Sequence, residues 1–392
     1  MKINRVLRQI TSQIYKNRPA MQEQLRTNYR IERVNGGLLC DLWFLTSGCI
    51  HDRQGGCVMC NYGKPGKIAD WKKIVSELER ILEKLPWEFE DFLLTPSGSM
   101  LDEREVSADM RRDLEKLLKP VRTKRLIIET RADTVTADGL DFMKKVLPDT
   151  EKYIEIGVEC ADNWVLKNCI NKNLTYAAFQ NAVKLIHRNG MHVTANIGLG
   201  FPFMSERASI RYSIQSIKKA LADKADSVVL FPYHIKKGTL LESMAEHSMY
   251  HCVSLWALTE VLGAFSPEEL TKIQISWYKD YFGEKRSFIL QSPETCPVCG
   301  RQVMELLDQY RDTQDAQIVL KLKTYPCRCR EKWREDLNRQ DPDIRMDQVE
   351  QAYRKLAEIF SVDQELLEQE LNSMRRESGK TDSYEEVESA SS

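Results

Sequence analysis

Short apolar runs alternate with longer segments of helical periodicity from about residue 38 to residue 265. This alternation is typical of successive strand–helix units and of a parallel sheet. The apolar runs predict six strands, at 39–45, 91–95, 125–129, 153–158, 192–197 and 227–231. The segments between and after them predict helices near 71–85, 106–118, 140–146, 176–188, 206–222 and 255–265.

Each predicted strand runs into polar or glycine-bearing sequence. The six segments that follow the strands are the loop 46–60, then 96–99, 129–131, Glu159, 198–202 and 237–239. Six parallel units fit an α/β fold with an open, partial (β/α)6 barrel of the TIM type. In such barrels the functional groups gather where the strands end.

The rest of the chain divides by composition. We expect an N-terminal helical extension at 1–36 with an amphipathic helix over 5–16, and the partial barrel at 37–265. A small cysteine-rich extension that binds metal follows at 266–340, then a charged helical segment at 341–375. The Ser- and Glu-rich stretch 376–392 is typical of a disordered tail.

Length, charge and cysteine content limit the class of protein. The 392 residues are 42% hydrophobic, enough for a large core, and the net charge of −1 gives no overall basic field for nucleic acid or membrane. Eleven cysteines accompany no secretory signal and no apolar run of bilayer-spanning length. These features predict a cytoplasmic protein that uses its cysteines for metal and does not associate with a membrane.

Three cysteines, Cys49, Cys57 and Cys60, share one glycine-bearing loop directly after the first predicted strand. Three thiolates without an obvious fourth suit an iron–sulfur cluster that keeps one iron open for a substrate or cofactor. A zinc knuckle or unliganded cysteines are the plainer alternatives. His51, inside the same loop, is a proton donor, a group that tunes the cluster, or simply part of the loop's framework.

The motifs around these cysteines resemble those of radical S-adenosylmethionine (SAM) enzymes. They include Thr46-Ser-Gly-Cys49 and Gly55-Gly-Cys-Val-Met-Cys-Asn-Tyr62, Ser97-Gly-Ser99 with Asp102-Glu103, Glu129-Thr-Arg131, Gly157-Val-Glu159 and Ile170-Asn-Lys172. Within that superfamily the chain resembles the branch with the archaeosine-forming lyase and, more distantly, the elongator catalytic subunit. The cysteine spacing of seven and then two residues departs from the common three and two.

The resemblance implies a four-iron four-sulfur cluster on Cys49, Cys57 and Cys60, with SAM on the open iron and a one-electron reductant such as flavodoxin or ferredoxin as partner. Met59 would lie against the adenine, and Ser97, Gly98 and Ser99 would hold the methionyl amine. Glu129 and Glu159 are candidates for the SAM amine or the ribose hydroxyls, and Arg131 for the carboxylate. Gly198, Gly200, Gly238 and Thr239 resemble the segments that line the adenine.

A second cysteine group lies near the C-terminus. Cys296, Cys299, Cys327 and Cys329 form two close pairs, which supply four thiolates for one centre. A closed structural zinc site and an auxiliary iron–sulfur cluster both suit this set. The remaining cysteines, Cys40, Cys160, Cys169 and Cys252, are predicted to be small buried residues.

The function implied by the resemblance is reductive cleavage of SAM, followed by hydrogen abstraction and bond cleavage or rearrangement in a substrate. In this branch that step is carbon–nitrogen lysis on a lysine-modified 7-deazaguanine of tRNA. A small molecule in natural-product biosynthesis is the alternative substrate. A non-catalytic, zinc-bearing tRNA-binding protein is the alternative of another class. The sequence 277–281, Trp-Tyr-Lys-Asp-Tyr, either stacks on a planar substrate or packs at an interface.

Overall fold

A computed structural model describes residues 3–18, 26–63, 70–85, 88–280 and 288–378. The strands are β1 Thr27–Val34, β2 Gly37–Phe44, β3 Glu88–Pro96, β4 Arg122–Thr130, β5 Glu151–Glu159, β6 His192–Leu199, β7 Ser227–Pro232, β8 Ile235–Lys236, β9 Ile273–Ile275 and β10 Ile289–Gln291. The helices are α1 Arg5–Asn17, α2 Ile50–Arg53, α3 Trp71–Leu82, α4 Ala108–Leu117, α5 Ala137–Lys145, α6 Asn163–Asn168, α7 Tyr176–Arg188, α8 Glu206–Ala222, α9 Leu240–Glu246, α10 Leu255–Leu262, α11 Pro267–Leu270, α12 Gly300–Thr313, α13 Ala316–Lys323, α14 Arg328–Asn338, α15 Met346–Ile359 and α16 Gln364–Ser378, with a 3-10 turn at Ala132–Thr134.

One sheet of eight strands, in the order β1-β2-β3-β4-β5-β6-β7-β9, organises the molecule. Strands β2 to β7 and β9 are parallel, and helices lie between them in sequence. β8 pairs antiparallel with β10 in a separate two-stranded sheet. All six predicted strands form, as β2 to β7. The α/β fold class with a partial, curled barrel of the TIM type is therefore confirmed.

The sheet is wider than the six predicted strands. β1 pairs antiparallel with β2 in full register, from Thr27 opposite Phe44 to Val34 opposite Gly37, although residues 1–36 were expected to be helical. Its sequence alternates polar with apolar residues, so it lacks the continuous apolar run that marks β2 to β7. β9 adds a short parallel strand beside β7, beyond residue 265.

The two faces of the sheet differ in chemistry. In β4, Leu126 and Ile128 are buried in the core beneath the helices, whereas Arg125, Ile127 and Glu129 face a cavity inside the curl. The outer helices complete the core with apolar stripes, as α3 does with Ile74, Leu78 and Leu82. The polar side chains on the inner face mark it as the functional one.

The two ends of the described chain pack together. Asn4 donates a hydrogen bond from its side-chain amide to the hydroxyl of Tyr353 in α15 at 2.9 Å, and Arg5 pairs with Glu370 in α16 at 3.1 Å. The helix α1 is thereby clamped to the C-terminal helices, and its next turns lie against the loop that carries the first three cysteines.

The charged C-terminal segment forms two helices. The chain turns at Ser361, which has a left-handed φ of 50°, and the side chain of Asp363 then accepts a hydrogen bond from the backbone N–H of Leu366. α16 extends to Ser378, so residues 376–378 are helical and were not correctly assigned to a tail. The rest of the predicted tail, 379–392, lies outside the described residues.

Within the described ranges, none of the helices combines the length and the apolar character needed to span a membrane.

Candidate active site and second cysteine centre

A cavity of about 990 Å³ occupies the inside of the curled sheet. This volume lies at the upper end of the roughly 300–1,000 Å³ that is usual for ligand pockets. Its lining includes Cys49, Cys57 and Cys60, and no other cysteine of the described chain. The predicted cysteine trio therefore lies at the carboxyl ends of the strands, where the chemistry of a parallel barrel is expected.

Two glycines let the cysteine loop pack tightly. A Cβ atom at Gly55 would lie 2.3 Å from the Oγ atom of Ser12 in α1, and Gly55 also has a φ of +84°. The side-chain amide of Asn171 donates hydrogen bonds to the carbonyls of Gly55 and Gly56, at 3.1 and 2.8 Å. Helix α1 and Asn171 thus hold the backbone of the loop from both sides.

An ion pair and a histidine complete the framework of the loop. Asp52 is buried, pairs with Arg18 at 2.8 Å and accepts a hydrogen bond from the backbone of Gly63. The Nε2 atom of His51 lies 3.0 Å from the carbonyl oxygen of Asn171. Burial lowers the pKa of His51 to about 4, so the ring is neutral near pH 7.

Opposing effects act on the pKa values of the cysteine thiols. Burial, followed by the nearby charge of Glu105, raises the pKa of Cys49 to about 11, and Arg131 acts in the opposite direction. The hydrogen bond that Cys57 shares with Cys60, together with burial, raises the pKa of Cys57. Such thiols become good ligands only with a compensating positive charge, which a metal centre supplies.

Arg131 connects the cysteine loop to the segment after β3. Its Nη1 atom lies 2.9 Å from Oε1 of Glu105 and 3.7 Å from Sγ of Cys49, and its Nη2 atom lies 2.9 Å from Oδ2 of Asp102. Although burial acts to raise it, the pKa of Asp102 is held at about 2 by hydrogen bonds from Arg104 and Arg131. Arg131 is therefore already bound to carboxylates of the protein, whereas the sequence suggested that it meets the SAM carboxylate.

The segment Ser97-Gly98-Ser99 lines the cavity and is ordered by Glu105. The fully buried side chain of Glu105 accepts hydrogen bonds from the backbone N–H groups of Ser99 at 2.6 Å and Ile50 at 2.8 Å. A Cβ atom at Gly98 would lie 2.2 Å from Oε2 of Glu105, so only glycine fits there. Sequence reasoning missed Glu105, although the adjacent acidic pair at 102–103 was among the motifs.

Glu159 also faces the cavity, at the end of β5. It has a left-handed φ of 68°, its Oε1 atom lies 2.9 Å from Nζ of Lys172, and its Oε2 atom accepts a hydrogen bond from the Tyr233 hydroxyl at 3.1 Å. All three side chains are buried. Lys172 belongs to one of the motifs, but neither it nor Tyr233 was assigned a role from the sequence.

The structure brings most of the predicted SAM-binding residues to one cavity. Met59, Ser97, Gly98, Ser99, Glu129, Arg131 and Glu159 all line it. Gly198, Gly200, Gly238 and Thr239 are not among its described lining residues, and each has a local structural role.

Those four residues support the cavity from behind. A Cβ atom at Gly198 would lie 2.6 Å from the hydroxyl oxygen of Tyr233, so this glycine lets the tyrosine reach Glu159. The carbonyl of Gly238 accepts a hydrogen bond from Arg18 at 2.9 Å. The carbonyl of Gly200 accepts one from Tyr250, and Thr239 is the N-cap of α9.

The second cysteine group forms a compact tetrad. The Sγ–Sγ distances are 3.5 Å for Cys296–Cys299, 3.7 Å for Cys296–Cys327, 3.5 Å for Cys299–Cys329 and 3.4 Å for Cys327–Cys329. In the described part of the chain this is the only set of three or more His, Cys, Asp or Glu side chains whose ligand atoms lie within 4.8 Å of one another. The cysteine trio is consequently more widely spaced than the tetrad.

Backbone dipoles and a tryptophan surround the tetrad. Cys299 and Cys327 directly precede the first residues of α12 and α14, whose N-terminal ends favour negative charge. The indole N–H of Trp256 donates to Sγ of Cys329 at 3.4 Å. Of the remaining cysteines, Cys40, Cys160 and Cys169 are buried as predicted, but Cys252 is half-buried, because its thiol lies at the edge of the two-stranded β8–β10 sheet near the carbonyl of Gln291.

Comparison with known proteins gives relatives along most of the chain. No family model matches it. The chain is 28% identical to archaeosine synthase subunit beta of Methanosarcina acetivorans over 304 residues, which cover 76% of this chain and 84% of that protein. It is also 28% identical to archaeosine synthase subunit beta of Thermococcus kodakarensis, over 74% of this chain and 88% of that protein. The crystal structure of methylornithine synthase aligns with a TM-score of 0.47 and 14% identity, over 90% of this chain and 88% of that one. The predicted resemblance to the archaeosine-forming branch is confirmed by these two relatives.

Proposed function

We propose that this protein cleaves SAM reductively at a four-iron four-sulfur cluster held by Cys49, Cys57 and Cys60. The observation that carries the proposal is that three thiols, without a fourth among the described residues, line one large cavity. A single tetrahedral ion needs its ligand atoms closer together than this trio has them, and it prefers a fourth protein ligand when its role is structural. The donor set therefore suits a cluster with an open iron.

When bound, the cluster supplies the electron that splits SAM into methionine and a 5'-deoxyadenosyl radical, which takes a hydrogen atom from the substrate. The protein's own residues position the reactants and balance charge. Arg131 places a cation beside Cys49, and the buried Lys172 acts on Cys57, lowering the pKa of that thiol. Both cations offset the negative charge of three thiolates in a site that excludes most water.

SAM is expected along the cavity wall next to the trio. Ser97, Gly98 and Ser99 line this space, and Met59 contributes an apolar surface. The Oγ atoms of the two serines also accept hydrogen bonds from the backbone N–H groups of Thr46 and Arg131. The carboxylate of Glu159 is held by Lys172 and Tyr233, so it presents an acceptor of fixed orientation for an amine or a ribose hydroxyl.

For the substrate, we propose carbon–nitrogen lysis on a lysine-modified 7-deazaguanine of tRNA. The support is the similarity to two proteins named archaeosine synthase subunit beta, over three quarters of the chain. A small-molecule substrate is the second candidate, because a net charge of −1 offers no broad basic field for a polyanion.

The test is anaerobic reconstitution followed by incubation with SAM and dithionite, with 5'-deoxyadenosine as the readout. We expect a brown protein that forms 5'-deoxyadenosine, and the Cys57→Ala variant is expected to lose both properties. Cys252→Ala is the matched control, because Cys252 does not line the cavity. Full cleavage by Cys57→Ala, or a colourless wild type without cleavage, would contradict the proposal and favour a non-catalytic binding protein.

The same assay distinguishes the substrates. Stimulation by tRNA that carries the lysine-modified base, with release of a cleaved lysine fragment, supports the tRNA substrate. Stimulation by a small-metabolite extract alone supports the second candidate.

For the tetrad we propose one structural zinc ion. With a Zn–S bond of about 2.3 Å, the edge of a tetrahedron of sulfurs is about 3.8 Å, close to the 3.4–3.7 Å found between the neighbouring Sγ atoms. A four-iron cluster would attach each thiolate to a different iron and hold the sulfurs farther apart. Metal analysis should find one zinc per chain in addition to the iron, and a second set of four irons would contradict the assignment.

A further inference from the structure

Two glutamates form a pair on the inner face of the sheet. Glu129 of β4 and Glu155 of β5 are register partners on neighbouring parallel strands, and both line the cavity. Adjacent strands lie about 4.8 Å apart, so the two side chains extend side by side. Glu155 was not identified from the sequence, and Glu129 was assigned to SAM.

The pair is short of hydrogen-bond donors. Among the described residues, the carboxylate of Glu129 has neither a hydrogen bond nor an ion pair, and Glu155 accepts only one hydrogen bond, from the side-chain amide of Asn196 at 3.3 Å. The Oδ1 atom of Asn196 is itself buried without a partner. Three neighbouring groups thus present oxygen acceptors to the cavity.

Two cations of the cavity, Arg30 and Lys236, make their closest described contacts with other side chains. Arg30 lies 3.0 Å from the carboxylate of Asp41. The Nζ atom of Lys236 lies 5.4 Å from the ring centre of Tyr62 and 5.3 Å from that of Trp277. The charges of both cations still act to lower the pKa of Glu129, but burial and the neighbouring carboxylates outweigh them.

The protonation of the pair reflects this environment. Burial, and then the charges of Glu155 and Asp41, raise the pKa of Glu129 to about 8. Burial also raises the pKa of Glu155 to about 7, although the hydrogen bond from Asn196 acts in the opposite direction. A ligand that donates hydrogen bonds or carries positive charge would offset both the burial of the two carboxylates and their mutual repulsion.

The described carboxylates around the pair do not form a three-ligand metal site. Glu129, Glu155 and Asp41 do not form a set with ligand atoms within 4.8 Å of one another, since in the described chain only the cysteine tetrad does. Aromatic side chains, Trp43, Tyr62 and Trp277, line the same cavity and suit a planar molecule.

We infer that Glu129, Glu155 and Asn196 form a subsite for the N–H-donor edge of a planar substrate: an amidine, a cyclic guanidine or an aminopyrimidine. The inference rests on the proposed function, because it names the substrate class of the same cavity. One carboxyl can stay protonated and donate to a ring carbonyl, while the other accepts two N–H bonds. Charged acceptors of this kind contribute more than neutral ones.

The test is binding of two probe pairs to the reconstituted full-length protein with SAM present and no reductant, followed by calorimetry. The pairs are 2-aminobenzimidazole with benzimidazole, and 7-deazaguanine with 7-deazahypoxanthine, and each pair differs by one amino group. We expect the amino member to bind at least about tenfold more tightly, as one charge-assisted hydrogen bond contributes. Equal affinity within both pairs, or no binding by either amino member, would overturn the inference.

Variants test whether the probes bind at Glu129 and Glu155. Glu129→Gln and Glu155→Gln should each weaken the amino probes by about tenfold or more and affect benzimidazole little. Glu246→Gln, at an exposed position of α9, is the control and should leave all four affinities unchanged. Unchanged affinity in both cavity variants, or competition between SAM and the amino probes, would refute the subsite. Because no SAM is cleaved in this assay, its failure is distinguishable from failure of the proposed reaction.

Discussion

The guanidinium of Arg131 lies 3.7 Å from the Sγ atom of Cys49, and the same Nη1 atom is 2.9 Å from Glu105. One side chain therefore connects a proposed cluster ligand to the carboxylate that orders the Ser97–Ser99 segment. The positions of the cysteine loop and of the neighbouring cavity wall depend on each other through this contact.

Replacing Arg131 should lower both the stability of the fold and the amount of iron that the protein binds. Arg131→Ala removes the only ion-pair partner that the structure describes for the buried Glu105 and one of the two arginines that bond Asp102. We expect a loss of about 3–5 kcal/mol in the free energy of unfolding, with low iron content after reconstitution. Arg131→Lys keeps the positive charge but not the forked geometry of the guanidinium. It should therefore recover only part of the stability and part of the iron content. Arg104→Ala is the control, since Arg104 bonds the same Asp102 but is 59% exposed, and should cost no more than about 1 kcal/mol. Equal effects of the two alanine variants in urea denaturation would argue against this role of Arg131.

The buried pair of Lys172 and Glu159 should be strongly coupled. Lys172→Met leaves an uncompensated carboxylate and should cost about 3–5 kcal/mol, whereas the double variant Lys172→Met/Glu159→Gln should be more stable than the single one. A double-mutant cycle from denaturation curves measures the coupling. Simple additivity of the two substitutions would show that the pair contributes nothing as a unit.

The raised pKa of Glu129 predicts a pH-dependent stability. Its folded-state value of about 8 lies above the ordinary 4.5, so its stabilising effect is complete below pH 4.5 and is lost as the pH rises to 8. The difference in unfolding free energy between wild type and Glu129→Gln should therefore fall over this interval, by on the order of 1–3 kcal/mol. Urea denaturation at pH 5 and pH 8.5 gives this difference, with Glu246→Gln as the reference. A difference that is independent of pH would mean that Glu129 titrates normally.

The tetrad should affect stability more than catalysis. Cys299→Ala removes a buried ligand, and we expect loss of the zinc and a lower melting temperature, but iron content close to that of the wild type. Cys160→Ala is a suitable control, because this thiol is also buried but belongs to neither cysteine group. Loss of iron in step with loss of zinc would indicate that the two centres are not independent.

The sequence was informative where a signal is local. The six parallel strands carry continuous apolar runs, and the cysteine trio lies in one loop, so both could be predicted. β1 was missed because its alternating pattern gains meaning only from its pairing with β2. The pairing of Glu129 with Glu155 depends on the register of two strands that are separated by a helix, which one sequence does not specify.

Residues whose role depends on a partner that only the fold brings near were also not identified from the sequence. Glu105 and Lys172 resemble ordinary surface charges in the sequence, and only the fold buries them against Gly98 and Glu159. Conversely, Gly198 was predicted to line the adenine, but its lack of a side chain serves the approach of Tyr233.

The clamp between α1 and the C-terminal helices affects the order in which parts of the protein can fold during synthesis. Asn4 and Arg5 meet Tyr353 and Glu370, residues that leave the ribosome about 350 positions later. Helix α1 supports the cysteine loop through Gly55, so the loop acquires its full framework only after nearly the whole polypeptide has been translated. We therefore expect insertion of the proposed cluster to follow translation, and a bulky N-terminal affinity tag to interfere with it more than its distance in sequence from Cys49 suggests.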